Sequence, residues 1–376
     1  MPIVRAPLSR STALVAALLA STIPASVSAA ATGFETFTPA AQTNTSSIDY
    51  DVWNEAVQNI VISMGPSLRE TPGRPPSGFG TRLVYGHTSR YRLEGSRVSF
   101  SFLDETIRSN LANFRQELQA TAERVDLQSL SRNEQLAYWI NLHNVALVEQ
   151  IAKEWPVRQP RSIEIDGVPL DDAKFITVEG KAISLRDIRE KIVYANWSNP
   201  LVIYGFWRGE IGGPSIQRRA YTGDNVRSLL NSNATEFVNS LRGTQKLGSK
   251  LQVSTFYEEV APFYFPDFEA DVRAHIAKYA QEDVADILAK TTKTEAAIKE
   301  YDIADLAGGS REPTFVAIQD ALNNRVQSFR IPRAMGILLA QREEKFRRIL
   351  KEGRTGTVTF SDVELPGEAG GENDIE

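Results

Sequence analysis

His143 and Asn144 are adjacent residues with side chains able to do chemistry, and Asn141 stands two positions before the histidine. An imidazole can act as general base, and a carboxamide beside it can orient the ring or donate a hydrogen bond to a developing oxyanion. A second group lies in Arg208-Gly209-Glu210-Ile211-Gly212-Gly213-Pro214-Ser215. There Arg208 could bind a carboxylate, Glu210 could hand over a proton, and the amides of Gly212 and Gly213 could approach a ligand closely. Both groups have structural alternatives: a satisfied polar network inside a core for the first, a tight turn feeding a helix for the second. The loop is neither a phosphate loop nor a nucleophile elbow, since it lacks the Lys-Ser/Thr ending and the G-x-S-x-G pattern.

Three histidines at 87, 143 and 275 are scattered without helical partners, so no metal site is expected. The carboxylates around Tyr257-Glu258-Glu259 and Asp267 read as a solvated face more readily than as a ligand set. No cofactor motif is present. The chain has no cysteine, which excludes thiolate nucleophiles, thiolate metal sites and a disulfide framework. A formal charge of −5 makes nucleic acid a poor partner.

The element that must position His143 is written into residues 131–155. Ser131 can cap the first turn and Glu134 can reach back to it, a capping box. At ~100° per residue, Leu136, Ile140, His143, Leu147 and Ile151 share one stripe, flanked by Trp139 and Asn144. The imidazole thus sits on an apolar face, where burial is costly without a partner. A second amphipathic helix is expected over 104–125, and a helix over 50–64 that Gly65-Pro66 stops. Residues 82–85 and 91–102 read as strand, with Glu94-Gly95 as a turn. Asp166-Gly167 and Glu179-Gly180 are hairpin signals within 162–170 and 175–183. Ser184 with Asp187 caps a short helix to about Ala195. The apolar run 200–207, PLVIYGFW, reads as a central strand from whose end the glycine-rich loop departs. A helix over 223–241, a strand over 251–256, helical stretches within 267–301 and a basic amphipathic helix over 334–352 complete the reading. In the last, Arg342, Lys345, Arg347, Arg348 and Lys351 form a stripe expected to face solvent.

These elements imply an α+β class: a helix-rich single domain with a small, mainly antiparallel sheet and hairpins, and a C-terminal helical extension. The expected divisions are a signal peptide over 1–29, a leader with little structure over 30–47, a core over 48–307, the extension over 308–353 and an acidic disordered tail over 354–376. The first of these rests on Arg5 and Arg10 before an apolar run from Thr12, with Val27-Ser28-Ala29 as a small-x-small cleavage pattern. That run is short for a membrane span, so the mature chain is expected in a bacterial periplasm or secreted, with no transmembrane segment.

The chain resembles the uncharacterised family of domain of unknown function 547. Asn133-Glu134-Gln135-Leu136-Ala137-Tyr138-Trp139-Ile140-Asn141-Leu142-His143-Asn144 is similar to its central signature. Tyr50-Asp51-Val52-Trp53, Ser184-Leu185-Arg186-Asp187-Ile188, Gly213-Pro214 and Ala220-Tyr221-Thr222 resemble further segments in order, which adds Tyr221 to the binding candidates. Many members carry a histidine before the loop and two cysteines in it. Those positions are Ile203, Arg208 and Gly213 in this chain, so a Cys–His mechanism does not carry over. The remaining expectation is a binding protein, holding a small ligand or an envelope protein between the 131–155 helix and the 208–215 loop. The alternative is a non-thiol hydrolase or transferase with His143 as base and Glu210 as acid.

Expression of the full chain in a bacterial host tests the targeting segment. Mass spectrometry of the exported protein is expected to give an N-terminus at Ala30, whereas a periplasmic species that retains Met1 would refute cleavage.

Overall fold

The computed structural model describes residues 33–73, 85–312, 316–319, 326–329 and 332–353. The signal and tail expectations fall outside them, as do residues 82–84 of the first strand. The elements run α1 (Asp51–Ile60), β1 (Val61–Ser63), β2 (Ser96–Val98), α2 (Glu105–Ala122) and α3 (Arg132–Glu154). Two hairpins follow, β3 (Glu164–Ile165) with β4 (Val168–Pro169) and β5 (Ile176–Val178) with β6 (Lys181–Ile183). Next come a π-wound segment Asp187–Val193, α4 (Tyr194–Asn196), α5 (Val226–Val238), β7 (Thr244–Leu247), β8 (Lys250–Ser254) and α6 (Phe256–Tyr264). The chain continues as α7 (Phe268–Tyr279), α8 (Glu282–Ala289), β9 (Lys293–Ile298), β10 (Val316–Gln319), β11 (Val326–Phe329) and α9 (Arg333–Lys351). This is the expected helix-rich α+β class with small sheets. The strand pairs are antiparallel except for β8 with β9, which run parallel. Among the described residues, no helix is long and apolar enough to cross a membrane.

Helix α3 is the centre of the fold. Every residue from Asn133 to Ala152 is buried, so the helix has no solvent face between its ends. An amphipathic stripe understates it, because its polar residues are internal partners for other segments. Ser131 caps the first turn by accepting from the Glu134 amide at 3.1 Å. The other half of the expected box is not made. Glu134 instead accepts from the amides of Ile48 at 2.8 Å and Gly223 at 2.9 Å, tying two distant segments to the start of α3. Helix α2 packs along α3, and Tyr138 donates to the Leu118 carbonyl at 3.1 Å. The chain before α1 is anchored as well. Phe34 and Phe37 are buried, and the Phe37 ring meets Trp139 edge-on with centroids 5.1 Å apart. Two aromatics thus tie the start of this stretch to the core despite its polar composition.

Three expectations are corrected by backbone chemistry. The helix from Asp51 stops at Ile60, because Val61-Ile62-Ser63 pair with Val98, Arg97 and Ser96. Of 91–102, only Ser96–Val98 is strand, and Phe100–Phe102 is a 3₁₀ turn. The run expected as a central strand is a 3₁₀ helix, Pro200–Gly205, with Pro200 in its first turn and Asn199 accepting from the Leu201 amide. Side-chain amides take the backbone groups that a neighbouring strand would have taken. Asn233 donates to Tyr204 O, and Asn144 bonds both Gly205 O and Trp207 N. The hairpins at Asp166-Gly167 and Glu179-Gly180 have positive φ at both turn residues, as a type I′ turn requires.

The C-terminal extension holds a hairpin before its helix, and α9 is docked, not free. Met335, Leu338 and Ile349 are buried. Lys345, expected in a solvent stripe, is also buried and donates to Met64 O at 2.9 Å, Leu93 O at 2.6 Å and Gly65 O at 3.3 Å. Burial lowers its pKa to about 8. Arg342 bonds Ser63 O and Arg348 grips Glu70 with both Nη atoms, which leaves Arg347 and Lys351 as the exposed part of the stripe.

Replacing Glu134 with alanine orphans the Ile48 and Gly223 amides, each a loss of roughly 1–3 kcal/mol. Urea unfolding of Glu134→Ala is expected to show that combined loss, whereas Ser46→Ala, at an exposed side chain, stays near the parent. A Glu134→Ala chain as stable as the parent would remove this residue from the account of the fold.

Candidate functional site

His143 is fully buried in mid-α3, and its two ring nitrogens are both engaged. Nδ1 lies 3.0 Å from Asn144 Oδ1. Asn144 is itself fixed in orientation, with Nδ2 donating to Gly205 O at 2.9 Å and Oδ1 accepting from Trp207 N at 3.1 Å. His143 must therefore carry its proton on Nδ1 and donate it to Asn144. Its Nε2 lone pair accepts from Arg189 Nη1 at 2.9 Å. Arg189, 1% exposed, also donates to Asp171 Oδ2 at 2.6 Å, and Arg186 reaches the same carboxylate at 3.3 Å. Burial pushes the His143 pKa well below the usual histidine value, and the facing Arg189 cation pushes it further down. Burial alone would raise the Asp171 carboxyl, but Arg189 and Arg208 outweigh it and hold it well below the carboxylate range. A proton acceptor whose lone pair already holds a guanidinium N–H is not free to act as a base.

Arg189 and Asp171 are the functional neighbours that sequence reasoning missed. Arg189 lies in the π-wound segment Asp187–Val193, opened by a reciprocal cap between Ser184 and Asp187. The cap was legible, but the wider winding that sets the direction of Arg189 was not.

The glycine-rich loop lies against α3, and packing accounts for Gly209 and Gly212 in it and for Gly205 before it. A Cβ on Gly205, just before the loop, would come within 2.6 Å of Ile140 Cδ1. One on Gly209, whose φ is +76°, would come within 2.7 Å of Ile151 Cδ1. A Cβ on Gly212 would fall 2.2 Å from the Glu300 carbonyl oxygen, and the Gly212 amide is spent on that same oxygen at 3.2 Å. The expected space between α3 and the loop is thus filled by side chains. Glu210 is held bidentately by the Nε–Nη2 edge of Arg161, at 2.6 and 2.7 Å, and that guanidinium lies 3.4 Å over the Tyr301 ring centre. Burial raises the Glu210 carboxyl, while Arg161 pulls it down. Arg208 donates to Glu259 at 2.7 Å. Arg208, Glu210, Gly212, Gly213, Glu259 and Tyr301 line a cleft of about 10 Å³, room for one water.

Asn141 and Tyr221 form a separate unit. The Asn141 amide bonds Tyr221 O at 2.7 Å and accepts from Tyr221 N at 3.1 Å, a backbone-like clasp deep in the core. The sequence candidates therefore divide among three places: His143 and Asn144 in the buried network, Arg208, Glu210, Gly212 and Gly213 at the cleft, and Asn141 with Tyr221 between them and α5. Tyr257 is buried in a hydroxyl contact with Tyr204, and Asp267 caps α7, so neither belongs to a ligand cluster. Among the described residues, no group of three or more histidines and carboxylates is arranged to hold a metal ion.

A larger opening was not expected from the sequence. Arg132, Tyr194, Ala195, Asn196, Ser198, Phe263 and Tyr264 line an open groove of about 530 Å³. It lies between the start of α3, the end of α4 and the end of α6. Tyr194 packs on Phe263 and Tyr264, with centroids 5.3 and 5.4 Å away. On its inner side Tyr194 meets Phe206 at 5.8 Å, and Phe206 meets the His143 ring at 5.1 Å. A chain of rings thus runs from the groove wall to the buried imidazole.

The family model described as protein of unknown function DUF547 matches residues 127–238. The matched segment carries α3, both hairpins, the π-wound segment, the glycine-rich loop and α5, in line with the resemblance seen in the sequence. No curated protein and no solved structure matches the chain.

The three buried histidines are expected to make the protein less stable in acid. Burial lowers His87 and His275 to about 3 and His143 well below its usual value. The unfolded chain, with histidine pKa near ~6.5, then binds more protons than the folded one below that pH. Their contribution is intact above about pH 6.5 and is lost as pH falls, at up to roughly 1.4 kcal/mol per pH unit for each histidine. Urea unfolding between about pH 7 and pH 5 is expected to show this slope, and His143→Gln to flatten it by one histidine's share. An unchanged slope in the variant would mean that His143 is charged in the folded state.

Proposed function

We propose that this protein is exported and acts by binding a ligand on the surface flanking α6, without acid–base or thiol chemistry of its own. The reading for export draws on the N-terminal pattern of Arg5, Arg10, the apolar run and Val27-Ser28-Ala29. The observation that carries the binding reading is the 530 Å³ groove with aromatic walls, a volume within the ~300–1,000 Å³ of ligand sites. The loop cleft at the start of α6 is too small for more than a water, so it is not the pocket.

The enzyme alternative asks His143 to take a proton and Glu210 to give one. Against it stand the hydrogen bond from Arg189 into His143 Nε2 and the Arg161 clamp on Glu210. Binding needs neither group to be free. It needs a rigid scaffold, and the His143–Arg189–Asp171 chain supplies one behind the groove.

A thermal-shift panel of cell-wall fragments and small metabolites tests this reading. At least one compound is expected to raise the unfolding temperature, by the equivalent of about 2.7 kcal/mol at 100 times its Kd. His143→Gln should lower the baseline stability yet hold the Kd of that compound within about threefold, a difference under ~1 kcal/mol. A flat panel, or turnover of any compound that disappears in His143→Gln, would overturn the proposal.

A further inference from the structure

We infer that the groove between α3, α4 and α6 takes a ligand that combines a flat aromatic ring with a carboxylate, the carboxylate meeting Arg132 and the ring lying on Phe263 and Tyr194. The inference rests on the binding reading and specifies the ligand class of that groove.

Arg132 supplies the charge argument. It occupies the first turn of α3, its guanidinium is 5.1 Å from the centre of the Trp197 ring, and Nη2 donates to Asn196 O at 2.5 Å. Its Nε is buried and meets no acceptor. No carboxylate lies within 4.0 Å of it among the described residues, unlike Arg115, Arg161, Arg189, Arg208 and Arg242, each of which has an acidic partner. A guanidinium held in place by an indole and one carbonyl is fixed in direction but lacks a counter-ion. A carboxylate answers that charge, since its two oxygens accept parallel N–H bonds from a planar guanidinium.

The opposite wall supplies the ring argument. Phe263 is 38% exposed, an uncommon state for a phenylalanine next to two other aromatics. Tyr194 and Tyr264 complete the wall behind it, and Tyr264 is held by its hydroxyl on Trp197 O at 2.9 Å. Ring faces in such clusters gain from a further offset or edge-on ring, worth ~0.5–1.5 kcal/mol beyond burial. Ala195 and Ser198 leave the mouth without large side chains between the aromatic wall and Arg132. A rigid ligand can span the two, and a flexible charged chain would gain less from the wall.

Titration calorimetry on the full chain with naphthoate, naphthamide and acetate tests the assignment. Naphthoate is expected to bind about tenfold or more tighter than the neutral naphthamide, and acetate too weakly to measure. Phe263→Ala should weaken naphthoate and naphthamide by a similar factor of about five to ten. Ser198→Glu sets a like charge at the mouth, so it should weaken naphthoate by a larger factor than the neutral naphthamide. Arg132→Gln should erase the preference for the acid, with thermal unfolding recorded to show that the variant folds. Equal affinity for acid and amide would overturn the carboxylate class while leaving binding at the groove in place. Affinity for naphthoate that ignores Phe263→Ala and Ser198→Glu would overturn the groove as the site. If neither ring compound binds, the class fails. The wider binding reading fails with it only if the cell-wall and metabolite panel is flat as well.

Discussion

Polar side chains on a helix that has no solvent face between its ends must each be answered from inside the protein, and that constraint on α3 organises the rest of the chain. Glu134 fixes the entry to α1 and the start of the segment that leads to α5. Gln135 holds Leu130 O at 2.9 Å, Tyr138 holds α2, and Glu149 holds Arg115 of α2 as an ion pair. Asn141 clasps Tyr221 as a strand neighbour would, and Asn144 does the same for residues 205–207. Removing one partner would leave an unpaired group in a low-dielectric interior, where the loss is far larger than at a surface. The apolar residues of α3 provide the driving force for burial. Its polar residues decide which segment lies where.

The same constraint accounts for the fate of the candidate chemistry. His143 sits where a base would sit in an apolar stripe, yet the interior answers both of its nitrogens. Arg189 is charged, buried and neutralised by Asp171, whose own carboxylate reaches toward solvent. The network thus conducts charge balance from the core to the surface through two side chains. Phe206 lies between that network and Tyr194, which lines the aromatic groove. Glycine at 205, 209 and 212 is required by the proximity of Ile140, Ile151 and Glu300. Glycine types alone do not distinguish packing from the approach of a ligand, since both demand the missing Cβ.

Much of the architecture could be read from residue order. Ser131 as a cap, Asp166-Gly167 and Glu179-Gly180 as turns, and Ser184 with Asp187 as a reciprocal cap are local signals whose physics is complete within a few residues. The failures occur where the deciding partner lies far along the chain. Residues 200–207 are apolar throughout, and such a run fits a buried strand or a buried 3₁₀ helix equally well until Asn144 and Asn233 are known to take its carbonyls. Lys345 looks like a surface lysine until Met64 and Leu93 turn their carbonyls toward it. The groove has no sequence signature, because Arg132, Tyr194, Ser198 and Phe263 come from three elements and none is unusual in its own neighbourhood.

The Lys345 contact carries a consequence for biogenesis. Its acceptors at Met64 and Leu93 precede it by 281 and 252 positions. At ribosomal speeds of roughly 5–20 residues per second, those carbonyls wait on the order of tens of seconds for their ammonium. During that interval the β1–β2 corner is present in the nascent chain without the helix that closes over it. The corner therefore acquires its buried ammonium only after α9 has been made.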